Sequence, residues 1–211
     1  MRAGALALAS CLLGPAAAAR PADPFRPLDD LLPTPGEARL ASGHPGPSYW
    51  QQRADYELDI ELDEAARQVR GRARITYHNL SPHTLPYLWV QLDNNIFARD
   101  SDAALAAVAP DLSRFSFDAL RARLAMETFD GRLELDAVTA EDGSPLAHRV
   151  VGTLMRVDPP QLLAPGEAAV IVIRWHYTVN DATVIRARTG YEHFEEDGND
   201  IFEIAHGYPR M

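Results

Sequence analysis

The sequence predicts a mainly β protein, an antiparallel β-saddle or sandwich with a short helical insertion. Three observations predict it. Apolar residues recur with period two in most segments from Tyr56 onward. Turn signals rich in Gly, Pro, Asn and Asp part these segments at roughly ten-residue spacing. One stretch, residues 101–129, switches to helix-favouring composition.

The first residues, "MRAGALALASCLLGPAAAAR", hold one Arg, an uncharged apolar run and then small residues. This is the pattern of a secretory signal peptide over residues 1–19, with Ala17-Ala18-Ala19 as the cleavage site. The run is too short and too lightly flanked for a stable transmembrane helix. A second reading stays open: Leu8-Ala9-Ser10-Cys11 resembles a bacterial lipobox, in which Cys11 would carry a lipid anchor. Both readings make the protein secreted or periplasmic. Cys11 is the only cysteine, so the rest of the chain is expected to hold together without disulfides.

Residues 20–48 carry seven prolines between Pro21 and Pro47. They exclude a long helix or a central strand and indicate an extended arm or linker. The β-domain is expected over 49–211. In "DYELDIELDE", Tyr56, Leu58, Ile60 and Leu62 alternate with acids, which predicts one buried and one wet face. "QVRGRARITYHN" repeats the alternation through Val69, Gly71, Ala73, Ile75 and Tyr77. "LPYLWVQLDNNIF" puts Leu88, Val90 and Leu92 on one face and Tyr87 and Trp89 on the other. Large groups on both faces predict a central strand.

Within the insertion, "SFDALRARLAMETF" has Ser116 or Asp118 placed as N-cap. Strands return in "GRLELDAVTA", "LAHRVVGTLMRVDPP" (two short strands around Gly152) and Ala168–Val179, which follows a Pro165-Gly166 turn. The expected core includes Tyr56, Leu58, Ile60, Leu62, Ile75, Val90 and Ile173.

Composition excludes several chemistries. All 20 basic residues are Arg, so no Schiff-base or phosphate-loop lysine exists. A net charge of −10 and scattered Arg residues argue against nucleic-acid binding. Arg70, Arg72 and Arg74 share one strand face, read as solvated. None of the seven His begins an H-E-x-x-H zinc helix, and no G-x-S-x-G or G-x-G-x-x-G motif occurs. No catalytic and no metal-ligating residue is assigned, and no cofactor is expected in this chain. Asp93-Asn94-Asn95 has two readings, a metal ligand set or a strand end turned by its side chains. The acids of "YEHFEEDGND" lack calcium-loop spacing and are read as a solvated hairpin around Asp197-Gly198.

"YELDIELD", "GRARITYHN" and "LWVQLDNN", in that order, resemble the amino-terminal domain of the M1 (gluzincin, aminopeptidase N-like) zinc metallopeptidases, in their secreted bacterial branch. "RTGYEHFEEDGNDIFEIAHGYPRM" is similar to that family's crossing toward its catalytic domain. The family's G-x-M-E-N strand, H-E-x-x-H helix and third zinc-ligand Glu lie further along, and this sequence contains none of them. The resemblance implies a β-saddle that packs on an M1 catalytic domain and walls its peptide cleft, with zinc belonging to that partner domain. It also implies a polar residue near the last strand reaching the substrate's amino end. The matching region holds Glu203 and His206.

The alternative is a stand-alone periplasmic β-sandwich that docks a peptide or glycan on Trp50, Trp89 and Trp175. A saddle lacking its partner is further expected to expose an apolar patch around Phe202, Ile204 and Tyr208.

Overall fold

Residues 36–40, 42–108, 112–185 and 187–211 are described in this computed structural model. The expected signal peptide, Cys11 and the expected arm as far as residue 35 lie outside the described residues. The chain forms two compact units that divide between Tyr49 and Trp50. In the first, Arg39 bridges Pro45 and lays its guanidinium 5.4 Å from the Tyr49 ring centroid.

The second unit is built from nine strands among the described residues: β1 (Arg53–Asp63), β2 (Gln68–His78), β3 (Leu88–Gln91), β4 (Glu134–Thr139), β5 (His148–Val151), β6 (Leu154–Val157), β7 (Ala168–Thr178), β8 (Gly190–Phe194) and β9 (Asn199–Glu203). One sheet has the order β1-β2-β7-β4, a second β3-β6-β5, and β8-β9 form a separate hairpin. Every pairing among these strands is antiparallel. The mainly β, antiparallel architecture expected from the sequence is the one observed.

The inner faces of the two larger sheets meet in one core. Ala73, Ile75, Ile171, Ile173 and Trp175 come from one sheet and Leu88, Val90, Met155 and Val157 from the other. Gly71 sits under the Trp175 indole, where a Cβ would fall 2.3 Å from a ring carbon. Glycine at that point lets the largest buried side chain lie flat on the sheet. Positive φ at Gly143, Gly152 and Gly166 turns the chain between strands.

Ile75, Val90 and Ile173 are buried as expected, but the first strand is not. Leu58, Ile60 and Leu62 are 38%, 52% and 36% exposed, and Tyr56 is only partly buried. β1 is an edge strand whose apolar row runs beyond the area the opposing layer covers. β3 is likewise an edge strand, not a central one. Trp89 on its outer face is half exposed and meets Tyr87 edge-on at 5.8 Å, while Arg156 lies 4.3 Å over the Tyr87 ring. Those two aromatics shield each other and both remain exposed.

Two helices occupy the insertion, α1 (Asp102–Leu105) and α2 (Phe117–Thr128). Ser101 and Ser116 cap them, each hydroxyl accepting a backbone N–H three residues on. Neither helix buries a residue, and Phe117 is 86% exposed.

Candidate functional site at the carboxyl-terminal segment

The family resemblance marks Glu203 to His206, and the fold closely anchors the segment that holds them. The β8-β9 hairpin turns at Gly198, whose positive φ suits glycine. Asp200 on β9 accepts from the Tyr191 hydroxyl at 2.9 Å and pairs with His193 Nδ1 at 2.7 Å. Glu203 ends β9, and its backbone carbonyl accepts from the Thr189 hydroxyl at 3.0 Å. Its side chain is exposed and makes no hydrogen bond or ion pair among the described residues.

The chain then turns back into the domain. His206 takes a left-handed conformation, φ 55°. Gly207 passes so near the core that a Cβ would sit 2.6 Å from the Tyr177 hydroxyl. The Trp175 indole donates to the Gly207 carbonyl at 3.2 Å, and Pro209 is fully buried. Arg210 then pairs with Gln91 at the end of β3 through two backbone hydrogen bonds, of 2.7 and 3.1 Å. The Met211 amide donates to the Tyr56 hydroxyl at 2.6 Å, and Tyr208 meets the Tyr56 ring edge-on.

Asp93 is the polar centre of this anchor. Arg210 grips its carboxylate with both arms, Nε to Oδ2 at 2.6 Å and Nη2 to Oδ1 at 3.1 Å. His206 Nδ1 stands 4.0 Å from the same Oδ2. The Arg210 hydrogen bonds hold the Asp93 carboxyl below its ordinary value of 3.8, against the opposing effect of burial, and the His206 charge adds to the lowering. Close to Gly207, the Tyr177 hydroxyl is buried without a hydrogen bond of good geometry. Burial pushes its pKa up to about 12, with the Asn94 side chain pulling slightly the other way.

The two candidate residues therefore have different surroundings. Glu203 presents an unpartnered carboxylate to solvent, whereas His206 faces Asp93. Nothing among the described residues joins their side chains directly. Asp93-Asn94-Asn95 follows its strand-end reading: the trio opens a 3-10 helix over Asp93–Phe97. Asn95 donates to the Gly152 carbonyl at 3.0 Å and accepts from the Leu133 amide at 3.0 Å. Sequence reasoning missed the Asp93–Arg210 pair because 117 residues separate its members. Phe202 and Tyr208 pack against the core, so of the expected terminal patch only Ile204 is exposed, and Ile201, not among its expected members, is exposed as well. Further exposed large apolar residues lie on β1, on β5 and β6, and in the helical insertion.

Among the described residues, no three His, Cys, Asp or Glu side chains gather where they could hold a metal ion. The described residues do not fit a zinc centre. Of the three tryptophans, Trp175 is buried, while Trp50 and Trp89 are partly exposed. No described helix is long and apolar enough to cross a membrane.

No family model matches the sequence, and no curated protein is similar to it. Solved structures with some likeness include a mutant M1 zinc metallopeptidase from Deinococcus radiodurans bound to a Tyr-Ser-Ala substrate. That likeness has 13% identity over 71% of this chain and 26% of that one, with a TM-score of 0.39. A second structure of a mutant M1 zinc metallopeptidase from the same organism is 12% identical over 71% of this chain and 25% of that one, with the same score. A two-domain M1 zinc metallopeptidase mutant bound to L-tryptophan is 12% identical over 71% and 26%, again at 0.39. The chain spans about a quarter of the length of each of these.

Proposed function

We propose that this chain is the non-catalytic amino-terminal saddle of a secreted M1-like zinc aminopeptidase. It packs on the catalytic domain and walls one side of the peptide cleft. The parent activity is metal-dependent removal of amino-terminal residues from peptides, with the zinc held by the partner domain. The observation that carries this reading is the order of three motifs, "YELDIELD", "GRARITYHN" and "LWVQLDNN", which fall on β1, β2 and β3. Asp93, in the third motif, also grips the segment that holds Glu203 and His206 through Arg210. The exposed Glu203 carboxylate suits the α-ammonium group of a peptide. The leader-like first nineteen residues fit export to the periplasm or beyond, with Cys11 as the alternative point of lipid attachment.

Reading the encoding DNA past codon 211 tests the proposal. An H-E-x-x-H segment followed by a third ligand Glu is the expected result; an immediate stop codon in an intact gene overturns it. Residues 20–211 purified alone should not hydrolyse aminoacyl-nitroanilides in a chelator-sensitive way. A second reading, a binding module for peptide or glycan, is favoured by one feature, the exposed Tyr87–Trp89 pair with Arg156 stacked on it.

A further inference from the structure

We propose that the outer edge of β1 accepts a fifth strand, and that the accepted strand alternates basic with apolar residues. This inference stands independently of the aminopeptidase reading.

The two edges of the four-stranded sheet differ. β4 is six residues long, and its register slips between Leu135 and Ala137. Short length and a bulge are devices that close an edge to further pairing. β1 has neither. It runs for eleven residues in unbroken register with β2, from Arg53 opposite His78 to Asp63 opposite Gln68. Its outer side has no backbone partner among the described residues. That leaves about 36 Å of strand edge offering unpaired N–H and C=O groups.

Charge and shape on β1 select the occupant. Glu57, Asp59 and Glu61 project on one face and the exposed Leu58, Ile60 and Leu62 on the other. The chain already shows what reads this pattern. On its paired side β1 meets β2, where Arg74, Arg72 and Arg70 stand opposite the three acids and Ala73, Gly71 and Val69 opposite the three apolar residues. The acids have capacity left. Glu57 pairs with Arg74 at 2.8 Å but is 70% exposed, and Asp59 reaches Arg72 only at 3.5 Å and is 79% exposed. Glu61 has no ion pair among the described residues. A second copy of β1 would set acid against acid on the polar face, which disfavours a self-paired edge. A strand of the β2 type instead adds a second Arg beside each acid and sets its own apolar residues beside the open apolar row.

The test uses the full chain and a fluorescent peptide with the sequence of residues 68–78, read by anisotropy. Saturable binding is expected, weakened by salt. A twin peptide with every Arg replaced by Glu should bind at least about tenfold more weakly. Two further peptides are N-methylated at alternate residues, one on the odd and one on the even positions. One should lose binding and the other keep it, since only one edge of an added strand faces β1. The Asp59→Arg/Glu61→Arg chain, its fold verified by circular dichroism, should bind the parent peptide more weakly and gain affinity for the reversed twin. Absence of saturable binding overturns the proposal. So does equal binding of both methylated peptides, which marks simple adsorption to acids. Unchanged binding by the double variant, or self-association of the chain that the peptide cannot compete away, also overturns it.

Discussion

β1 and β2 are both eleven residues long, both alternate apolar with charged residues, and pair with each other along their full length. Their fates differ. β2 lies between β1 and β7, and its Val69, Ala73 and Ile75 are buried by the opposing layer. β1 lies at the edge, and three of its four large apolar residues face water. Alternation fixes which side chains share a face. It does not fix whether anything covers that face, because coverage comes from elements distant in the chain.

The sharpest way to break this comparison is a matched pair of charge insertions. Ile75→Asp puts an unpaired carboxylate into a fully buried site and should cost about 4 kcal/mol or more, enough to unfold the domain. Ile60→Asp, two pleats along the same face on β1, should shift the urea midpoint by no more than about 0.5 kcal/mol equivalent. Gly71→Ala probes the covered centre differently. Its Cβ would meet the buried Trp175 ring, which cannot swing away, so a loss of about 1–3 kcal/mol is expected from thermal melts.

The third test moves to the terminal anchor. Asp93 is a carboxylate whose folded pKa is depressed by Arg210. Its contribution is therefore present above the ordinary value of 3.8 and is lost as pH falls through the lower folded value. Asp93→Asn should be less stable than wild type at neutral pH by about 2 kcal/mol. The difference should close as the solution is acidified below the carboxylate range. A difference that stays constant with pH would mean the Arg210 pair contributes nothing through charge. The smallest effect belongs to the insertion. Leu124→Gln on α2 should leave the melting curve within about 0.5 kcal/mol of wild type, since the helix buries no residue.

Most of the strand layout is legible in the sequence. The period-two runs mark β1, β2 and β7, and Gly152 and Pro165-Gly166 mark turns that the structure contains. Ser116 heads α2 as its composition and position require. Edge and centre are not legible. Trp89 and Tyr87 on the outward face of β3 look like the mark of a central strand, but stacking with each other and Arg156 lets them stay at the surface. The candidate site is less legible still. Glu203 and His206 come forward only through the family resemblance. The groups that fix their segment, Asp93, Tyr56 and Trp175, belong to three different strands or strand ends and carry no local signal of that role.

Native-state hydrogen exchange on β1 and β2 tests the contrast between the two strands most directly. β2 is paired on both sides, so its amides should be protected along the whole strand. β1 is paired on one side, so protection should alternate residue by residue, with the outward amides exchanging quickly. Uniform protection along β1 would contradict the account, because it would mean that the edge described as open is already paired.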